Sequence, residues 1–397
     1  MVVIFKKLMA VFSRGGSVAQ YSPLDNTPFI PYANGSGSIW DIIGERRMEE
    51  QRLAELNKPK GNWGADYMAL ENAFVWLPAI QLKTPLPIED LATLKADVEH
   101  DVRLFAGAGL RRNVRRIPDA DMAPAEVEAL PRALQLLQLV FAQWEDFAPE
   151  IDWLNTEVVL FVPNGLSPQQ WESEVVSAWP RESLPRTIDV ATDFAEWLPR
   201  TLESSTGAEH VLCISVDSWA TRSAISHVSA EQPAGESVAL LSLRRVSKIS
   251  TLPLFGEIAL FPAISREHCP KSQQKQKSVE DFGSLVQGLC EQSSIAIERI
   301  HGVITEGLES NNRRRQLYEY LKVHLPQCDP QDHVVDVMPM RGHTGRSAAQ
   351  MTSLALAFLT VQAKPEGAML VVDRVSEFST QGWLIARGQH AATDLAS

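Results

Sequence analysis

From about residue 150 onward, short apolar runs alternate with stretches of helical period. Runs rich in β-branched residues at Thr156–Pro163, His210–Asp217, Ser237–Leu243, Ile300–Thr305 and His333–Val337 read as strands. Between them Ser167–Trp179, Thr192–Leu202, 279–296, Arg313–Leu325 and 347–363 keep helical spacing, and Ser167 has the side chain of an N-cap. A closing hairpin pairs Ala368–Asp373 with Gly382–Arg387. Upstream, Phe74–Leu82 reads as a buried strand after a loop at 62–67, and Ile88–Leu104 and Ala123–Phe147 read as helices. Residues 13–38, rich in Ser, Gly, Pro and Asn, read as an irregular arm, followed by a charged helix over Ile39–Leu56. The polar segment Ser265–Ser278 reads as a loop. Strands alternating with crossover helices predict mostly parallel sheets covered on both faces. The order of elements recurs in the two halves of the chain without residue-level similarity, so a structural duplication is expected.

A chain of 397 residues is long enough for two fused units or one large α/β body. A net charge of −12 argues against nucleic acid as a main partner, because phosphate binding needs clustered cations. The local runs Arg111–Arg116 and Arg313–Arg315 are expected to be solvated or ion-paired faces. Cys213, Cys269, Cys290 and Cys328 are widely spaced, without a Cys-x-x-Cys pair, which fits reduced thiols in a cytoplasm. A periplasmic location follows only if a leader has been removed, since Met1–Phe12 is too short to span a bilayer and is broken by Lys6 and Lys7. No histidine or cysteine spacing suits a metal, so no metal and no cofactor are expected.

The densest chemistry lies between Asp332 and Leu359. A β-branched run ends in Gly342-His343-Thr344-Gly345, and a helix rich in small residues follows. Two glycines around a histidine let the backbone turn sharply, and the helix start beyond them offers free N–H groups and a positive dipole end. Such a turn can bind an anion or hold an imidazole at a pocket floor; its plainer role is a strand-to-helix joint.

Three stretches together resemble the thiolase superfamily on its β-ketoacyl synthase side. They are Val211–Ser218, Pro233-Ala-Gly235-Glu236-Ser-Val-Ala-Leu-Leu, and Gly342-His343-Thr344-Gly345-Arg-Ser-Ala-Ala. The resemblance covers about residues 150–397, and weakly 70–150. It implies an α/β fold, a layered αβαβα body of two similar halves at 61–247 and 248–397, often dimeric. To this body the chain adds an N-terminal arm and helix at 1–60. The resemblance also implies an acyl-accepting cysteine at the start of the helix entered through Ile188–Asp193, where a helix dipole lowers a thiol pKa. That position holds Thr192 and Asp193 instead. Glu306 ends the strand after which the family places a second histidine, and Met338 aligns with the family lysine; only His343 matches a catalytic position.

The resemblance therefore implies a scaffold without its chemistry, expected to act as a non-catalytic adaptor or chaperone for another protein. Similar degenerate proteins accompany type VI secretion effectors, including lipases. The alternatives are a condensing enzyme of altered mechanism, in which Thr192 attacks, Asp193 assists and His343 polarises a carbonyl, or a non-catalytic partner subunit of a ketosynthase. Cys213 sits mid-strand, where a small buried hydrophobe is the simpler reading. Asp217-Ser218 is expected to cap a turn.

Overall fold

A computed structural model describes residues 63–104, 112–118, 126–143, 151–204, 206–229, 232–247, 253–267, 274–306, 311–364, 367–376 and 379–388. All belong to the larger of the two units into which the chain divides, 51–397. The expected arm and the 39–56 helix lie outside the described residues, as does Cys269.

In chain order the elements are β1 (Trp63–Leu77), β2 (Ile80–Leu82), α1 (Ile88–Leu91), β3 (Glu99–Asp101), β4 (Arg112–Val114), α2 (Ala129–Ala142), β5 (Thr156–Phe161) and α3 (Pro168–Ala178). Then come β6 (Thr187–Ala191), α4 (Phe194–Glu203), β7 (His210–Ser218), β8 (Glu236–Ser247), β9 (Ile258–Leu260), β10 (Ile264–Glu267) and α5 (Gln274–Ser293). The chain continues through β11 (Ile300–Glu306), α6 (Asn311–His324), β12 (Val334–Asp336), α7 (Met338–Arg341), α8 (Arg346–Ala363), β13 (Ala368–Ser376) and β14 (Ser379–Arg387).

Ten strands form a continuous path, β12-β11-β13-β14-β9-β1-β8-β7-β5-β6. The path is a palindrome in strand role. From each outer edge inward, two parallel pairings (β6/β5 and β5/β7; β12/β11 and β11/β13) are followed by two antiparallel ones (β7/β8 and β8/β1; β13/β14 and β14/β9). The wings meet where β1 pairs antiparallel with β9, Met68 opposite Leu260. The expected repetition of element order is thus present as repeated topology.

Side-chain alternation sorts the wings into layers. On β5, β7 and β8, Val158, Leu160, Leu212, Ile214, Val216, Val238 and Leu240 face α2 and α3. Their neighbours Val159, Phe161, Val211, Cys213, Ala239 and Leu241 face inward, onto α4 and α8. On the other wing Val303, Leu370, Val372 and Leu384 face α5 and α6, whereas Ile304, Met369, Val371, Trp383 and Ile385 face inward. The inner residues of both wings belong to one cluster around α8. The resulting order is helix, sheet, helix, sheet, helix: the expected αβαβα arrangement.

Helix α8 is buried on every side because a sheet wing lies on each. Every residue from Ser347 to Val361 is buried, as expected of a helix enclosed in a core. Alanine at 348, 349, 355 and 357 keeps it thin enough for strands to approach from both directions.

Several expectations need correction. The sheet is mixed, not mostly parallel, because each wing ends in a hairpin-like strand pair that turns back toward the centre. The segment 62–67 is not a loop: β1 starts at Trp63 and runs 15 residues. The helix over 88–104 shrinks to α1, followed by strand β3 and a 3-10 turn at Val102–Leu104. Within 265–278, β10 occupies the beginning and α5 starts at Gln274. Strand β6 falls where the sequence predicts only the entry to a helix; none of its five residues is buried and Asp189 interrupts the apolar run, so it lacks a buried strand's signature.

Candidate functional site

The three stretches that carried the resemblance converge on one place. The Pro233-Ala234-Gly235 turn lies against Gly342-His343: the His343 N–H donates to the Pro233 carbonyl at 3.0 Å, and the Gly235 N–H donates to the His343 carbonyl at 2.6 Å. Gly342 adopts φ +84°, where a side chain is strained. A Cβ on Gly235 would strike the Arg341 carbonyl, so two backbones touch here without room for any side chain.

Asp217, at the end of β7, completes the junction. Its Oδ1 accepts the Asn164 N–H at 2.9 Å and its Oδ2 accepts the Gly345 N–H at 2.6 Å, at the start of α8. Burial nevertheless raises its pKa, against those backbone donors. The expected capping role is what these contacts describe. Next to it, Ser218 donates to Glu236, which is fully buried and clamped by Arg132 through Nε at 2.8 Å and Nη2 at 2.6 Å. The glutamate of the Pro-Ala-Gly-Glu stretch is thus the anchor that ties β8 to α2.

The segment that resembles the nucleophile position opens α4. Asp193 is the N-cap; its Oδ1 accepts from the N–H groups of Ala195 at 2.8 Å and Glu196 at 3.2 Å. Its Oδ2 faces Arg346 Nη1 at 3.2 Å. Thr192 meets α8 through its backbone: its carbonyl accepts from the Ser347 hydroxyl at 2.8 Å. The two inner helices therefore begin side by side, one from each half.

His343 itself is not joined to Thr192. Its Nε2, the atom that would take the threonine proton, is buried and has no hydrogen-bond partner. Burial, then the charges of Arg341 and Arg115, push its pKa down to about 4, so it is neutral at pH 7 and a weak base.

Glu306 stands where the resemblance implies a histidine. In the structure it forms a buried ion pair with Arg341, whose Nε also donates to the Gly342 carbonyl at 3.1 Å. Burial lifts Glu306 to about pKa 7 despite the arginine. Asp336 and Asp373 stand nearby, their pKa values also raised by burial. Asp373 accepts from Gln350 at 3.1 Å. Arg341 carried no signal in sequence, because one arginine before a glycine is indistinguishable from a solvated one.

Among the described residues no cysteine stands at the start of α4 or α8. Cys213 is fully buried on β7 with its pKa well above normal, as a core residue should be. Cys290 lines a groove of about 750 Å³ between α5 and α6, with Ile295, Tyr320 and His324; burial, then Glu298 and Glu291, push its thiol to about 11. No group of three metal-ligating side chains occurs among the described residues. Nor is any described helix long and apolar enough to cross a membrane.

No protein-family model matches the chain, and no curated protein matches it in sequence. Solved structures do. A structure titled the ishigamide ketosynthase/chain length factor aligns at a TM-score of 0.54 and 12% identity, covering 81% of this chain and 99% of that one. The ketosynthase from module 6 of the bacillaene synthase of Bacillus subtilis 168 aligns at 0.52 and 12% identity, covering 82% and 72%. The palindromic wings around two adjoining inner helices are the thiolase-like fold of the ketosynthase and condensing enzymes.

Proposed function

We propose that this chain works by binding another protein, as an adaptor or chaperone built on a condensing-enzyme scaffold, with a type VI secretion effector as the partner. The observation that carries the reading is that the inner helix start matching the nucleophile position is already capped by the chain's own carboxylate. Asp193 takes the N–H groups of Ala195 and Glu196 at the start of α4, whereas Asp217 takes the N–H of Gly345, the residue that precedes α8. Helix starts help acyl transfer when their N–H groups and positive dipole ends are open to a thiolate or a developing oxyanion. At α4 that potential is spent on an internal anion. A carboxylate beside residue 192 would raise the pKa of any nucleophile placed there. The Glu306–Arg341 pair adds to this, since it fills with a salt bridge the place expected of an acid/base residue.

The test uses the full chain, tagged and recovered from its native host. One stoichiometric protein partner with micromolar or tighter affinity is expected, and no acyl adduct after incubation with acyl-CoA. An acyl-enzyme detected by intact mass, with no partner recovered, would replace this reading with the enzymatic one.

A further inference from the structure

The palindrome of strands ends in two edges, and the two differ. β12 is three residues long, none of them exposed, and its Asp336 is answered by Arg314 on α6 at 3.4 Å. β6 is five residues long, about 17 Å of extended chain. One side of it pairs with β5, and no described strand pairs with the other. Such an edge presents a row of unpaired N–H and C=O groups to any chain that arrives. Its side chains divide by face. Ile188 and Val190 pack with the apolar layer that α2 and α3 cover, whereas Thr187 and Asp189 are exposed. Among the described residues, Asp189 meets only the Thr187 hydroxyl, at 3.4 Å. Glu157 on β5 is matched by Arg245 at 3.1 Å; the ionisable groups that act on Asp189 are Glu157 and Glu172, both acidic. The closed edge has its charge matched, and the open edge carries a carboxylate with no cation.

That carboxylate selects what the edge can hold. Two copies of the chain related by a two-fold axis would pair β6 with β6 antiparallel. The register that matches all five residues centres on Asp189 and sets it against Asp189 of the other copy. A slip of one residue escapes the clash but turns Ile188 and Val190 off their apolar face. Like charges directly opposite each other destabilise a strand pair, and opposite charges stabilise it. The same edge therefore suits a strand whose apolar side chains extend the Ile188–Val190 face and whose alternate position carries a cation.

We propose that β6 receives one extended segment of the partner protein, with a lysine or arginine opposite Asp189, and that Asp189 bars a second copy of this chain from the same edge. The inference rests on the adaptor reading and says where and how the partner sits. Main-chain hydrogen bonds along the edge supply affinity. The unmatched carboxylate supplies selection, attracting the basic strand and repelling the chain's own.

A charge-reversed copy of the chain serves as the basic strand in the test. The full natural chain and its Asp189→Lys variant are compared alone and in equal mixture, by sedimentation velocity and by amide hydrogen exchange of Thr187–Ala191. Neither protein alone should gain protection at β6 as its concentration rises, because like charges stand opposite in each. In the mixture lysine stands opposite aspartate. Association there should be at least about tenfold tighter than in either protein alone, should protect β6, and should weaken as salt rises. Should the lysine variant fail to fold, Asp189→Asn removes the repulsion without reversing the charge. That variant should pair with itself more tightly than the natural chain does, again with β6 protected. A natural chain that already pairs through β6, or variants that associate no more tightly than it does, would overturn the proposal. Either result leaves the adaptor reading to its own test of partner recovery, whereas an acyl-enzyme would remove that reading with the charge-swapped pairing still in place.

Discussion

At the residue scale, the commitments of Thr192 and Asp193 decide what this junction can do. A cysteine placed at 192 would sit beside a carboxylate that already caps α4, so the helix start would lend it no extra acidity. Thr192→Cys is expected to react with iodoacetamide at pH 7 no faster than a cysteine in an unstructured peptide, followed by mass analysis of its peptide. Alkylation more than about tenfold faster would show an activating site there. A second prediction concerns His301, which is 6% exposed with both ring nitrogens unpartnered. Burial, then Lys364, depress its pKa to about 4. The folded state therefore refuses a proton that the unfolded state accepts below about pH 6.5. Stability is fully present above that pH and falls as pH drops toward 4, by up to about 1.4 kcal/mol per unit. Replacing His301 with Gln should shrink the difference in urea midpoint between pH 7 and pH 5; an unchanged difference would contradict it.

At the scale of elements, the sequence was most legible where one periodicity dominates. Helix α8, strands β5, β7 and β11 and the β13–β14 pair fall within a few residues of expectation, because each buries a continuous apolar run. Legibility failed where stability comes from partners far along the chain. β1 mixes Glu71 and Asn72 with apolar residues, and becomes a strand because β8 and β9 flank it. β6 is an edge, and its exposed alternation carries little hydrophobic signal. The candidate site was half legible: the Gly342–Gly345 turn announced itself through its glycines and Asp217 as a turn cap, whereas Glu306–Arg341 gains meaning only from contacts across the fold. The tightest of these joints is testable. A Cβ at position 235 meets backbone of the 341–342 segment, which has no side-chain freedom to yield. Gly235→Ala should cost about 1–3 kcal/mol in denaturant unfolding, whereas Gly256→Ala, which meets nothing within 4 Å, pays only the strain of its φ of +82°.

At the scale of the whole molecule, the palindrome of strands makes two halves that cannot be finished separately. Helix α8 is encoded in the second half, yet the inner cluster around it includes Val211, Ala239 and Leu241 from the first. Produced alone, residues 248–397 would leave that face of α8 uncovered. The fragment is expected to aggregate or bind a hydrophobic dye, and to gain solubility when residues 51–247 are made with it. A soluble, monomeric 248–397 fragment with cooperative unfolding would refute this.

The position of β1 carries a consequence for biosynthesis. It is the first described strand to leave the ribosome, yet Met68 stands opposite Arg245 on one side and Leu260 on the other. At ordinary translation speeds that delay is roughly 10–35 s. Through this interval most of β1, beyond the three residues that β2 covers, travels with the nascent chain unpaired and open to mispairing. The cell's burden with this protein is therefore one of timing, and slowing translation upstream of β8 should lower its soluble yield.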